Sequence, residues 1–238
     1  MRAFFLPLIL YFVNFNYLKN FKILVMTIVH NYNTIKKNIN SLSSNVVLIV
    51  VTKNQNIQTI QTLIDLGQIH FGENKVQEAE QKWKELRVKF PEIRLHMIGT
   101  MQSNKVKNAV RIFDYIHSIN SKKLIHFFEE EEKQQKKKLK YFVQVNVENE
   151  PQKSGVSIQD LENVINTFNI NKKLNLIGLM NIPSLKGDKD YIYKYVSTLA
   201  VKYNLMNTSM GMSDDYMIAI KNGATYVRVG SSIFKNIN

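Results

Sequence analysis

The 238-residue chain has no cysteine. That excludes a disulfide framework, a thiol nucleophile and any cysteine-ligated metal. Metal-type histidine spacing is missing too. His30, His70, His96, His117 and His126 form no HxxxH or HExxH pattern, so no metal site is expected. With 4 prolines and 9 glycines, the chain is neither collagen-like nor disordered. Arginine is scarce. The formal net charge of +13 comes largely from lysines spread along the whole sequence. A nucleic-acid surface would cluster its basic residues and read phosphates with arginine and aromatics. No dedicated nucleic-acid function is therefore expected, only non-specific attraction to polyanions. The apolar run from Ala3 to Val13 is too short to cross a bilayer as a helix, so no membrane span is expected in the mature protein.

What is present is a 45% hydrophobic composition, enough for one sizeable core. Residues 1–25 stand apart as a hydrophobic N-terminal extension. Two readings fit it: a secretory or organellar leader without a small-x-small cleavage site, or an upstream stretch with Met26 as the natural start. Residues 26–238 then form the functional domain. Cytoplasmic location follows from the second reading, and an organellar or secretory one from the first.

From about Thr27 the chain alternates short apolar runs with longer helical patterns. Strands are expected at 46–52, 68–71, 95–99, 115–119, 141–147, 176–180, 207–210 (weakly) and 226–229. Helices are expected at 57–65, 76–88, 103–112, 158–168, 190–203 and 214–222. Repeated strand–helix alternation implies parallel strands with right-handed crossovers. Eight units in this length fit a single closed (β/α)8 TIM barrel. A doubly wound sheet would carry a glycine-rich fingerprint after its first strand. Here that position reads Lys53-Asn54-Gln55-Asn56. The acidic block Glu129 to Glu132, followed by Lys136 to Lys138, reads as a solvated helix whose charges suit the dipole and i,i+4 pairing.

In such a barrel the strand ends converge on one rim, where ligands bind. Lys53 ends the first strand, and an amine against an apolar wall becomes a nucleophile toward aldehydes. Beside it, Ser209-Met210-Gly211-Met212-Ser213 and Gly230-Ser231-Ser232 follow the seventh and eighth strands, the usual phosphate position in barrels. Gly211 permits close backbone approach, and Ser213 is placed to cap a helix starting at Asp214 and to donate its hydroxyl. Asp214 and Asp215 read as dipole-matching residues in that helix's first turn. Arg228 lies inside the eighth strand, where an arginine needs a partner. A strand-one lysine, a strand-eight arginine and a phosphate cup together suit pyridoxal 5'-phosphate. The lysine would form the imine, the cup would hold the phosphate and the arginine would face the ring nitrogen.

The ordered motifs Val51-Thr52-Lys53, His70-Phe71-Gly72-Glu73-Asn74, His96-Met97-Ile98-Gly99 with Gln102-Ser103-Asn104-Lys105, Lys153-Ser154-Gly155, Gly178-Leu179-Met180, Ser209 to Asp215 and Val227-Arg228-Val229-Gly230 make the chain resemble the pyridoxal phosphate homeostasis protein family. The likeness runs from about Met26 to Phe234. It implies a barrel like the N-terminal domain of alanine racemase, with Lys53 carrying the cofactor as a Schiff base. By position it implies that Ser213, Gly230 and Ser231 hold the phosphate, with Ser209 nearby. It further implies that Arg228 faces the pyridine nitrogen and that Asn74 lines the pocket. Departures from the family pattern are Thr52, Asn54-Gln55-Asn56, Thr100-Met101 and Ser231; none removes a required functional group.

The resemblance implies a homeostasis role: holding the cofactor without robust catalysis and passing it, through transient contact, to pyridoxal phosphate-dependent apoenzymes. A monomer is expected. The alternative is a racemase-like enzyme. Two-base racemisation needs a second base opposite the lysine, and the sequence stops just after the eighth strand, so that base's domain is not expected. An arginine at the ring nitrogen also weakens the electron sink. A phosphosugar-type barrel enzyme with Lys53 as an aldolase-like amine fits the arginine less well.

Overall fold

The computed structural model describes residues 5–150, 152–171 and 173–235. The first four residues of the N-terminal extension lie outside them. Eight parallel strands close into a barrel: β1 (Val47–Val51), β2 (His70–Glu73), β3 (Arg94–Met97), β4 (Tyr115–Ile119), β5 (Lys140–Asn146), β7 (Asn175–Met180), β8 (Asn207–Ser209) and β9 (Tyr226–Val229). The order follows the chain, and closure comes from the parallel pairing of β1 with β9. The expected (β/α)8 architecture is therefore the one observed. A two-residue strand absent from the sequence expectation, β6 (Val156–Ser157), adds to β5 alone.

Valine and isoleucine build the strands because both faces are covered. One apolar set, Leu48, Val50, Phe71, Leu95, Val143 and Val227 among others, packs outward against helices. A separate inner set, Ile49, Tyr115, Phe142, Met180 and Tyr226, fills the barrel. Alternation along each strand makes this division, since neighbouring residues point to opposite faces.

The outer layer comprises α1 (Phe5–Leu42), α2 (Ile57–Asp65), α3 (Val76–Lys89), α4 (Val106–Ile112), α5 (Lys122–Gln135), α6 (Ile158–Asn171), α7 (Lys189–Lys202), α8 (Tyr216–Lys221) and α9 (Ser231–Phe234). The 38-residue α1 runs unbroken through position 25. Its packing face is Ile28, Tyr32, Ile35 and Ile39, all buried at helical spacing. Met26, by contrast, is exposed. Among the described residues no helix is long and apolar enough to cross a membrane.

Two local expectations are corrected. The acidic block of α5 is not wholly solvated. Glu132 is buried, accepts hydrogen bonds from Leu139 N (2.6 Å) and Tyr141 Oη (2.9 Å), and ties α5 to β5. The helix ends at Gln135, with Lys136 left-handed (φ 50°), so the basic block lies beyond it. The second correction concerns α8, which starts at Tyr216 rather than Asp214. Ser213 is not its cap. Asp215 holds the capping position, is buried, accepts from Met212 N at 2.6 Å and pairs with Lys189 at 3.0 Å.

Candidate functional site

Strand β1 carries the site's first residue. Ile49 pairs in register with Arg228, and Val50 with Val229. Ile49 faces the barrel interior, so alternation directs Val51 and Lys53 to the same side. Lys53 lies just beyond the strand, exposed, in a turn whose next residue, Asn54, is left-handed (φ 60°). The flanking backbone is gripped from outside the barrel. Thr52 donates its hydroxyl to Glu73 (2.7 Å), and Thr52 O accepts from Lys82 Nζ (2.6 Å). Asn54 N donates to Glu78 (2.7 Å). Lys82 bridges both acids at 2.8 Å. Glu73 is fully buried and also accepts from Trp83 Nε1 at 3.0 Å. Lys53 thus projects from a backbone fixed on either side.

The loops after β8 and β9, where a phosphate cup is expected, meet through Ser213. Gly230 sits against β1: a Cβ there would be 3.0 Å from Val51 O. Ser213 Oγ accepts from Gly230 N (3.4 Å) and Ser232 N (3.3 Å). Both bonds are long, so two amides converge on one hydroxyl that holds them weakly. Ser231 is exposed beside them. Ser209 is elsewhere. It is fully buried inside the barrel, with its hydroxyl between His117 Nδ1 (2.8 Å) and Arg228 Nη1 (2.7 Å).

Arg228 is 3% exposed. It donates to Ser209 Oγ and to Asn181 O (3.0 Å), and no carboxylate lies in ion-pair range of it among the described residues. Burial lowers its pKa to about 10, partly opposed by Tyr193 and Asp215. A buried cation with donors to spare can take a further acceptor. Two side-chain acceptors near the rim are buried without partners, Asn74 Oδ1 and Asn181 Oδ1. Unpartnered buried oxygens of this kind can accept from a donor on a bound ligand or water. These features fit a phosphorylated pyridine aldehyde: an amine, two convergent amides, a guanidinium and orphaned carbonyl oxygens at neighbouring strand ends.

Sequence reasoning missed Asn181, the Glu73–Lys82 clamp and the histidines of the barrel interior. Asn181 directly follows β7, so its rim position was legible, although its contact with Arg228 was not. Other rim residues do structural work: Asn146 donates to Glu150 O at 2.8 Å, and Met180 is interior core. A groove of about 850 Å³, lined by Trp83, Arg87 and Arg111, lies on the outer face between α3 and α4, away from these groups.

Residues 23–236 match the family described as alanine racemase, N-terminal domain. The pyridoxal phosphate homeostasis protein of Vibrio cholerae is 34% identical over 203 residues, covering 80% of this chain and 85% of its own. PipY of Synechococcus elongatus PCC7942, a structure with PLP bound, superposes with a TM-score of 0.80 at 30% identity, covering 87% of this chain and 99% of that one. Alanine racemase from Corynebacterium glutamicum (TM-score 0.66, 15% identity, 88% and 60% covered) shares the fold alone. The chain belongs to the pyridoxal phosphate homeostasis protein family, built on the alanine racemase N-terminal barrel.

Proposed function

We propose that residues 26–238 bind pyridoxal 5'-phosphate at the barrel mouth and hold it for delivery to apoenzymes, with no robust turnover of their own. The observation that carries this reading is the parallel pairing of β1 with β9, which puts Arg228 opposite Ile49 and Gly230 against Val51, so that Lys53 leaves β1 on the same rim as the β9 loop. The bound form of PipY supports it. Matched residues 23–236 and the burial of Ile28, Tyr32, Ile35 and Ile39 on α1 support the domain limits.

Bound, the cofactor supplies an aldehyde that a lysine amine captures and a phosphate that anchors it. Lys53 is the capturing amine, held by the Thr52 and Asn54 contacts. The amides of Gly230 and Ser232, with the Ser213 and Ser231 hydroxyls, take the phosphate. Asn74 lines the ring. Arg228 donates to the ring nitrogen and keeps it an acceptor, which denies the ring the protonated state that drives carbanion chemistry. That choice of partner favours holding over turnover.

The test is borohydride reduction of the full chain with pyridoxal phosphate, followed by peptide mass mapping. The adduct is expected on Lys53 and absent in Lys53→Ala. An unmodified Lys53 in the wild type would sink the proposal. Robust Lys53-dependent racemisation of any common amino acid would overturn its non-catalytic half.

A further inference from the structure

Three histidines on consecutive strands face into the barrel and form one hydrogen-bonded line. His70 Nδ1 is 2.9 Å from His96 Nε2, and His96 Nδ1 is 2.9 Å from His117 Nε2. The line then crosses to Ser209 Oγ (2.8 Å) and ends at Arg228 Nη1 (2.7 Å). His96 stacks on Tyr115 (centroids 4.1 Å, 16°) and His117 on Phe142 (4.3 Å, 20°), so neither ring turns freely. His96, His117 and Ser209 are each fully buried. Hydrophobic side chains would fill this space at less desolvation cost, and a buried polar chain is tolerable only when its members satisfy one another.

The hydrogen bonds favour one assignment of protons. A guanidinium only donates, so Ser209 Oγ accepts from Arg228; His117 Nδ1 is the one acceptor found for the buried Ser209 proton among the described residues, so Ser209 donates to it. A neutral imidazole with an accepting Nδ1 carries its proton on Nε2. His117 therefore donates to His96, and His96 to His70. All three take the Nε2–H tautomer, an assignment that follows from Arg228 through the network. An added proton would set two donors face to face. The environment agrees. Burial pushes His117 down, assisted by Arg228, and pushes His96 down, assisted by His117 and His70. Burial, then Arg94 and Lys140, hold His70 at about 4 against the opposing pull of Asp114.

We propose that His117, His96 and His70 are positioning residues for Arg228. They form a tautomer-locked chain that keeps Ser209 an acceptor and so fixes the guanidinium aimed at the cofactor's ring nitrogen. The link to the ring nitrogen rests on the proposed function; the lock itself does not. With Nη1 on Ser209 and Nη2 on Asn181 O, the guanidinium plane is set from two sides while other N–H groups stay free for a ligand. Ser209 thus serves the arginine rather than the phosphate.

The first experiment uses the full chain without cofactor. Long-range ¹⁵N–¹H correlation at pH 7 is expected to show His70, His96 and His117 neutral and protonated on Nε2. An Nδ1–H form or an imidazolium at any of them overturns the lock, whatever becomes of cofactor binding. The second compares His117→Asn, whose carboxamide oxygen can replace Nδ1 as the acceptor for Ser209, with His117→Phe, which cannot accept. Pyridoxal phosphate affinity is expected to fall about tenfold or more in the phenylalanine variant and to stay within about threefold in the asparagine variant. Equal losses in the two folded variants would overturn the positioning role. Failure of Lys53 capture in the wild type would remove the proposed function and leave the ¹⁵N result standing.

Discussion

Lys82→Met tests whether the clamp behind Lys53 supports both the fold and the site. Methionine keeps the apolar stem and removes the ammonium. In the wild type that ammonium touches Glu73 and Glu78 at 2.8 Å each and Thr52 O at 2.6 Å. The Lys82 side chain is 11% exposed and that of Glu73 0%, so solvent does little to screen the pair. Removing the cation leaves the Glu73 carboxylate with only Thr52 and Trp83 as donors, and its Oε2 already has none. Breaking a buried pair from one side costs about 3–5 kcal/mol. For a chain of this length, about 3 kcal/mol corresponds to a fall in Tm of about 6–12 °C. Chemical denaturation would give the free energy and differential scanning calorimetry the Tm. Glu73→Gln added to Lys82→Met should restore at least about 1 kcal/mol, because it removes the stranded charge. A Lys82→Met protein within about 0.5 kcal/mol of wild type, or strictly additive losses, would refute the reasoning. The capture rate at Lys53 should fall too, since Thr52 and Asn54 lose a common anchor.

Three further outcomes follow from the same geometry. Gly211→Ala should destabilise by about 2 kcal/mol or more in denaturant melts, because Gly211 has φ +88° and a Cβ there would lie 2.5 Å from Ala219 Cβ. Glu132→Leu should cost about 2–3 kcal/mol by stranding Leu139 N and Tyr141 Oη, whereas Lys138→Ala, at the 70% exposed end of the same ion pair, should stay within about 0.5 kcal/mol. Stability should fall as pH drops from about 6.5 toward 4. The folded pKa of His70 lies below its unfolded value, so over that window the unfolded chain binds more protons. His70 alone contributes a loss of about 2 kcal/mol between pH 7 and 5, and His96 and His117 act in the same direction. Urea midpoints that do not change across that range would contradict the buried neutral chain.

Most strands were legible because a doubly covered strand must be β-branched and apolar. Tyr115–Ile119 and Tyr226–Val229 lie where the pattern put them, and so does the helix Ile57–Asp65. The start of α8 was misplaced because Ser213-Asp214-Asp215 has the composition of a helix start, yet Asp215 turns back to Met212 N and Ser213 goes to the β9 loop. Glu132 looked like one acid in a solvated block, since nothing local marks which residue of a charge run meets Leu139 and Tyr141.

The sequence by itself determined the barrel, the lysine at one strand end, the arginine two residues before a strand-end glycine, and the family. Those follow from periodicity and ordered motifs, which are local properties. Tertiary structure alone decided that Ser209 meets Arg228 and His117 inside the barrel, and that His70, His96 and His117 meet in one line. It also decided that Glu73 and Lys82 clamp the turn bearing Lys53. The physical reason is the same in each case. Those contacts join residues on different strands and helices, and they depend on the stagger with which a closed barrel brings neighbouring strands into register.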